Sequence, residues 1–183
     1  MIDPAFVARV DAWRAASGLP EVAATILRLR EDVASAAARE RPLCLGGGNC
    51  CRFTRFGHRL FVTGLEAAFC LGRIAVASGR AVTVADAADS SRRGDCPFLS
   101  RTRPFVQLGI AGEERSDGGG GLCTEHLERP LACRLFFCDP RAEGWQRELH
   151  ERIHGEVKDL HDRLAVPYSY LEWNAALAGF AAT

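Results

Sequence analysis

The sequence has almost no lysine: Lys158 stands alone among 23 basic residues, and the rest are arginine. Together with abundant alanine and glycine, this usage reads as GC-rich coding, so the number of arginines carries no functional weight. Acidic residues also number 23, and the formal net charge is +0. That removes the overall field a nucleic-acid partner would call for. No apolar run approaches the ~20 residues that a membrane-spanning helix needs, so no membrane partner is expected. The opening residues, Met1 to Phe6, have neither a basic segment nor an apolar one, which is unlike a secretory signal. The chain is therefore expected in the cytoplasm, where thiols stay reduced. The glycine run at 118–121 lacks the Lys-Ser/Thr that completes a phosphate loop. Among eight cysteines there is no C-x2-C pair, so an ordinary zinc finger is not indicated.

What remains is 183 residues, 48% hydrophobic and 25% charged, enough for one modest core. Helical signals dominate. Asp3-Pro4 suits a helix start, with Phe6, Val10 and Trp13 on one face until Gly18-Leu19-Pro20 interrupts. Val22, Ile26, Leu29 and Val33 mark a second helix ending near Arg41-Pro42. Leu60 to Val62 is a short β-type run before Thr63-Gly64-Leu65-Glu66, which matches a capping box. The helix it opens should stop at Gly79, and a shorter one should run from Thr83 to Gly94. Residues 104–122 are expected to form a hairpin-like excursion. A long amphipathic helix follows, with Trp145, Leu149, Ile153, Val157, Leu160 and Leu164 inward. Pro167 should end it, and 168–180 should form a closing helix. The expectation is a mainly α single domain: an N-terminal helical pair at 1–42, a cysteine region at 43–139 and C-terminal helices at 140–183. A small β-hairpin accompanies irregular, metal-organised loops.

Seven cysteines fall in those loops: Cys44, Cys50 and Cys51, then Cys96, then Cys123, Cys133 and Cys138. Eight cysteines in a reducing compartment read as metal ligands or redox groups more readily than as a disulfide frame. Thiolate ligands must converge on one point, and irregular Gly- and Pro-containing backbone allows that. Cys96-Pro97 fits because a cysteine followed by proline recurs among bacterial cluster ligands. Arg129 and Arg134 are placed to offset the negative charge of a buried thiolate site. The bland alternative treats cysteine as a small buried hydrophobe. It suits Cys70, which lies in an apolar helix.

These blocks resemble the CxxCxxCC cysteine-cluster family of zinc- or iron-chelating proteins. Its signature is C-x2-C-x2-C-C, then C-P-F-L, then C-x2-Y-x2-R-P-x2-C-R. Cys96-Pro97-Phe98-Leu99 fits the middle element. Cys123 through Arg129-Pro130 to Cys133-Arg134 fits the last, with His126 at the tyrosine position. The first fits at Cys44, Cys50 and Cys51, with Gly47 at the second cysteine. The resemblance covers roughly residues 44–138, and some relatives resemble the cluster region of flagellin lysine methylases. It implies a metal site, an iron–sulfur cluster of the 4Fe-4S kind or otherwise zinc. The expected role is electron transfer or metal delivery, with a redox or client protein as partner. A structural zinc module that holds a partner is the alternative.

His150-Glu151-Arg152-Ile153-His154 is a literal H-E-x-x-H, which on a helix sets two imidazoles one turn apart for zinc, with glutamate as base, so a zinc hydrolase is a further alternative. Its bland reading is the solvated flank of an amphipathic helix. His58 among Arg52, Arg55 and Arg59 is read either as an anion site or as a solvated loop face.

Overall fold

The computed structural model describes residues 3–44, 48–100 and 123–183. Helix α1 (Pro4–Ser17) starts where Asp3 accepts a hydrogen bond from the Ala5 N–H, and Pro4 occupies the first turn. Helix α2 (Pro20–Glu40) ends on Arg41 in the left-handed conformation, φ 49°. After a 3-10 turn at Asn49–Cys51 and the one-turn α3 (Phe53–Phe56), strand β1 (Phe61–Thr63) leads into α4 (Gly64–Ser78). Helix α5 (Val84–Arg93), the five-residue α6 (Leu131–Leu135) and the long α7 (Glu143–Arg163) follow. Strand β2 (Tyr170–Glu172) and α8 (Trp173–Ala181) close the chain.

The protein is mainly α, as its periodicity predicts, and its core is built on two tryptophans. Trp13 and Trp173 are 0% and 1% exposed. Trp13 lies so close to α4 that a Cβ on Gly64 would come within 2.2 Å of its ring, so only glycine permits this crossing. Its indole N–H donates to the Pro167 carbonyl at 2.6 Å, satisfying the one polar atom that burial would otherwise orphan. A second cluster joins Leu29 and Val33 of α2 to Leu131 and Leu135 of α6 and to Ile153 and Val157 of α7. It fixes α6, and with it Cys133, against the helical frame.

Three expectations need correction or limits. Residues 168–180 are not one helix: Tyr170–Glu172 is a strand, paired antiparallel with β1 so that Thr63 faces Tyr170 and Phe61 faces Glu172. The local pattern is helical, but the exposed backbone of β1 offers this segment a hydrogen-bonding partner over a hundred residues away. The capping box at Thr63 is half made. Thr63 accepts from the Glu66 N–H at 3.2 Å, but the Glu66 carboxylate turns inward and accepts from Leu131 N at 2.6 Å. A complete box instead opens α5, where Thr83 and Asp86 satisfy each other's backbone N–H groups. The excursion expected at 104–122 lies outside the described residues.

Candidate metal centre

Four loop segments carry the thiols toward one place. The 3-10 turn at Asn49–Cys51 holds Cys50 and Cys51 side by side. The Cys51 carbonyl then accepts from Cys96 N at 2.7 Å, while Thr54 N donates to Gly94 O at 3.0 Å. These two bonds tie the first cysteine loop to the second, which carries Cys96. Gly94 makes the approach possible, with φ +67° and no space for a Cβ, which would sit 1.7 Å from Thr54 Oγ1. Cys123 arrives through an antiparallel bridge with Leu99, supported by Thr124 N donating to Phe98 O at 2.8 Å. Cys133 is brought by α6.

The outcome is a cavity of about 330 Å³, counting its open mouth, whose wall includes Cys50, Cys51, Cys96, Cys123 and Cys133. Five of the eight cysteines therefore share one cavity. Cys51, 3% exposed, is the centre of the group. Its thiol hydrogen bonds with Cys123, Cys50 and Cys96 push its pKa far above the ordinary thiol range. The same bonding lowers Cys50 to about 7, with help from the Arg129 guanidinium. Cys123 is likewise lowered, first by its hydrogen bond with Cys51. Burial, and then the neighbouring sulfurs, push Cys133 well up. Within this set protons are unequally held: Cys51 and Cys133 are pushed toward the thiol, and Cys50 and Cys123 toward the thiolate. Among the described residues, no three His, Cys, Asp or Glu side chains already form a cage for a single ion.

The chemistry of the wall fits an electron-rich, negatively charged guest. Arg129 and Trp173 both line the cavity, and the buried Arg129 Nε and Trp173 Nε1 have no hydrogen-bond partner among the described residues. Buried N–H donors of this kind are costly unless something accepts from them, and thiolate or sulfide would. Arg134 does not serve as expected. Its Nε donates to the Arg129 carbonyl at 3.2 Å and its Nη2 to the Leu127 carbonyl, so it braces the loop that presents Arg129.

The other two expected ligands stand apart from this wall. Cys44 is exposed and Cys138 half-buried. Asn49 Nδ2 reaches Cys138 Sγ at 3.7 Å, and Leu43 N donates to Asp139 Oδ2 at 3.0 Å. Cys70 is in the core, as its helical pattern suggests. His126 is exposed, whereas Glu125 is 8% exposed and lines the cavity. Sequence reasoning missed Glu125 and Trp173. Glu125 had one available signal, its place two residues after a ligand-type cysteine. Trp173 had none, since it reaches the cavity only through the pairing of β1 with β2. His58 is not a bare surface residue: it stacks on Phe136 at 4.4 Å and meets the Cys50 carbonyl at 3.3 Å through Nε2.

The H-E-x-x-H residues lie elsewhere, on α7. His150 and His154 line a second cavity, and Glu151 is exposed. No helix among the described residues is long and apolar enough to cross a membrane. No protein-family model matches the chain, and no curated protein or solved structure shows significant similarity to it.

Proposed function

We propose that this chain is a thiolate-ligated metal protein of the cytoplasm, holding an iron–sulfur cluster with ligands drawn from Cys50, Cys51, Cys96, Cys123 and Cys133. One observation carries the reading: five thiols from four separate segments line one partly enclosed cavity. Free cysteines buried merely as small hydrophobes have no reason to gather, and the other three cysteines have not. A tetrahedral zinc site and a 4Fe-4S cluster each take four thiolates, so one of the five is surplus to either. Clusters accept thiolates from scattered segments and cysteines followed by proline, as at Cys96. The two unpartnered donors, Arg129 Nε and Trp173 Nε1, offer the charge compensation and sulfur hydrogen bonds that set a cluster's potential. Such a group, when bound, would supply a one-electron site, and a redox or client protein would be its partner. The resemblance to the zinc- or iron-chelating cysteine-cluster family supports the same assignment.

A second reading is a structural zinc ion. It is favoured by the contact of Cys51 with Cys50, Cys96 and Cys123, four sulfurs that would close on one ion.

A serine scan tests the donor set. Cys96→Ser and Cys133→Ser should each lower bound metal to less than about half, and Cys44→Ser and Cys138→Ser should retain it. Metal lost from the second pair and kept by the first would mean that the cavity is not the site.

A further inference from the structure

The second cavity lies between the β1–β2 pair and α7, and it has a different character. Its empty space is about 260 Å³, counting the mouth, and its wall includes Phe61, Thr63, Glu66, His150, His154 and Tyr170. Glu66 is 5% exposed. One of its carboxylate oxygens accepts from Leu131 N, and the Thr63 backbone N–H also acts on the carboxyl, more weakly. Arg30 acts on Glu66 only through space, because its guanidinium is already given to the Glu128 carboxylate at 2.8 Å and the Glu128 carbonyl at 3.3 Å. The wall thus has one buried carboxyl and, among the described residues, no lysine or arginine to match it.

Three features decide what kind of ligand would fit. Glu66, ionised only above its raised pKa of about 7 and with no basic residue in the wall, then rejects an anion and accepts a cation. The aromatic faces favour an organic cation: Phe61 and Tyr170 are 5.4 Å apart between centroids, and His154 stacks on Tyr170 at 4.3 Å. Such faces attract an ammonium group. The other polar atoms of the wall are paired among themselves: Tyr170 OH meets His150 Nε2 at 3.3 Å, and His154 Nε2 meets Tyr168 OH at 2.7 Å. Burial lowers the pKa of both imidazoles, which favours their neutral form, so they add no positive charge to repel an ammonium.

We propose that the cavity of Glu66, His150, His154, Tyr170 and Phe61 binds the protonated amino group of a small alkylamine. The ammonium pairs with the Glu66 carboxylate, and the alkyl chain lies along Phe61 toward the mouth. The site is separate from the thiol centre, and either assignment can fail without the other.

The probe is n-butylammonium chloride, titrated into the intact protein while the NMR signals of the His150 and His154 rings and of Phe61 are followed. Potassium chloride at matched ionic strength and sodium butyrate serve as comparisons. Saturable shifts confined to these residues are expected with the ammonium alone. Glu66→Gln keeps the oxygen that Leu131 N uses and should weaken binding by about tenfold or more, the cost of losing a buried charge partner. Tyr170→Leu, which leaves Glu66 untouched, should weaken it several-fold, so the proposal stays testable if the first variant fails to fold. Equal binding of butyrate, or unsaturable shifts spread over the surface, would overturn the proposal. So would a response of His150 and His154 to zinc chloride with none to the ammonium, which would make this a metal site.

Discussion

Replacing Cys70 with alanine separates the cavity thiols from a merely buried one. Cys70 is 1% exposed and lies in α4 between Phe69 and Leu71, away from the thiol cavity. Burial raises its pKa to about 12, so the side chain is neutral at any working pH and its removal deletes no charge. Its polar contact is Arg30 Nη2, 3.7 Å from the sulfur. The Arg30 guanidinium keeps its two hydrogen bonds to Glu128 without it, so no buried cation is stranded. The loss is then the packing of one sulfur atom in a dense core, about 1–2 kcal/mol. In a chain of this size that lowers Tm by about 2–8 °C. Urea unfolding gives the first quantity, and elemental analysis of the purified variant gives the metal content, which should equal that of the parent. A variant that loses its metal while remaining folded would show that Cys70 is a ligand and that the donor set is misdrawn. A loss above about 4 kcal/mol would show that the Arg30 contact matters far more than its length suggests.

Burial raises the Glu66 carboxyl to about 7, against about 4.3 for an unfolded glutamate. Between those values the fold holds a proton that the unfolded chain has released, so the Glu66 contribution to stability is fully present below about pH 4.3 and is lost as pH rises toward 7, by on the order of 3 kcal/mol. Glu66→Gln should flatten this slope in urea titrations between pH 5 and 8, and an unchanged slope would assign it to another group. Replacing His150 and His154 together with glutamine should leave metal stoichiometry unchanged, because neither lines the thiol cavity. Loss of a full equivalent of zinc would instead revive the hydrolase reading of the H-E-x-x-H. Trp173→Phe should keep the metal but lower the reduction potential of an iron centre, since it removes a buried N–H donor from the cavity wall. A potential that does not move would place that N–H away from the sulfurs.

Helices were legible wherever local chemistry decides them. Asp3-Pro4, the apolar spacing of Val22 to Val33 and the stop at Gly79 are complete signals, and the structure follows each. Tyr170–Glu172 misled because its strand exists only through β1, and no local pattern encodes a partner so distant. Glu66 misled for a related reason. Its spacing from Thr63 is right for a capping box, but the orphan N–H of Leu131 at the start of α6 captures the carboxylate. In the cavity, the cysteine blocks announced themselves by residue type. Sequence could not say that Cys50, Cys51, Cys96, Cys123 and Cys133 meet while Cys44 and Cys138 stand aside. That division depends on the Cys96–Cys51 and Thr54–Gly94 backbone bonds, which are tertiary contacts.

The central claim is that the gathered thiols hold an iron–sulfur cluster, and the most direct measurement is elemental analysis with visible absorption on protein purified without oxygen. A brown protein containing about four iron atoms per chain is expected, with a blue-end absorption that bleaches on reduction or in air. A colourless protein with one tightly held zinc and no iron would contradict the cluster and leave the structural zinc reading. Protein purified with neither metal, and binding neither when supplied, would contradict the thiol centre itself.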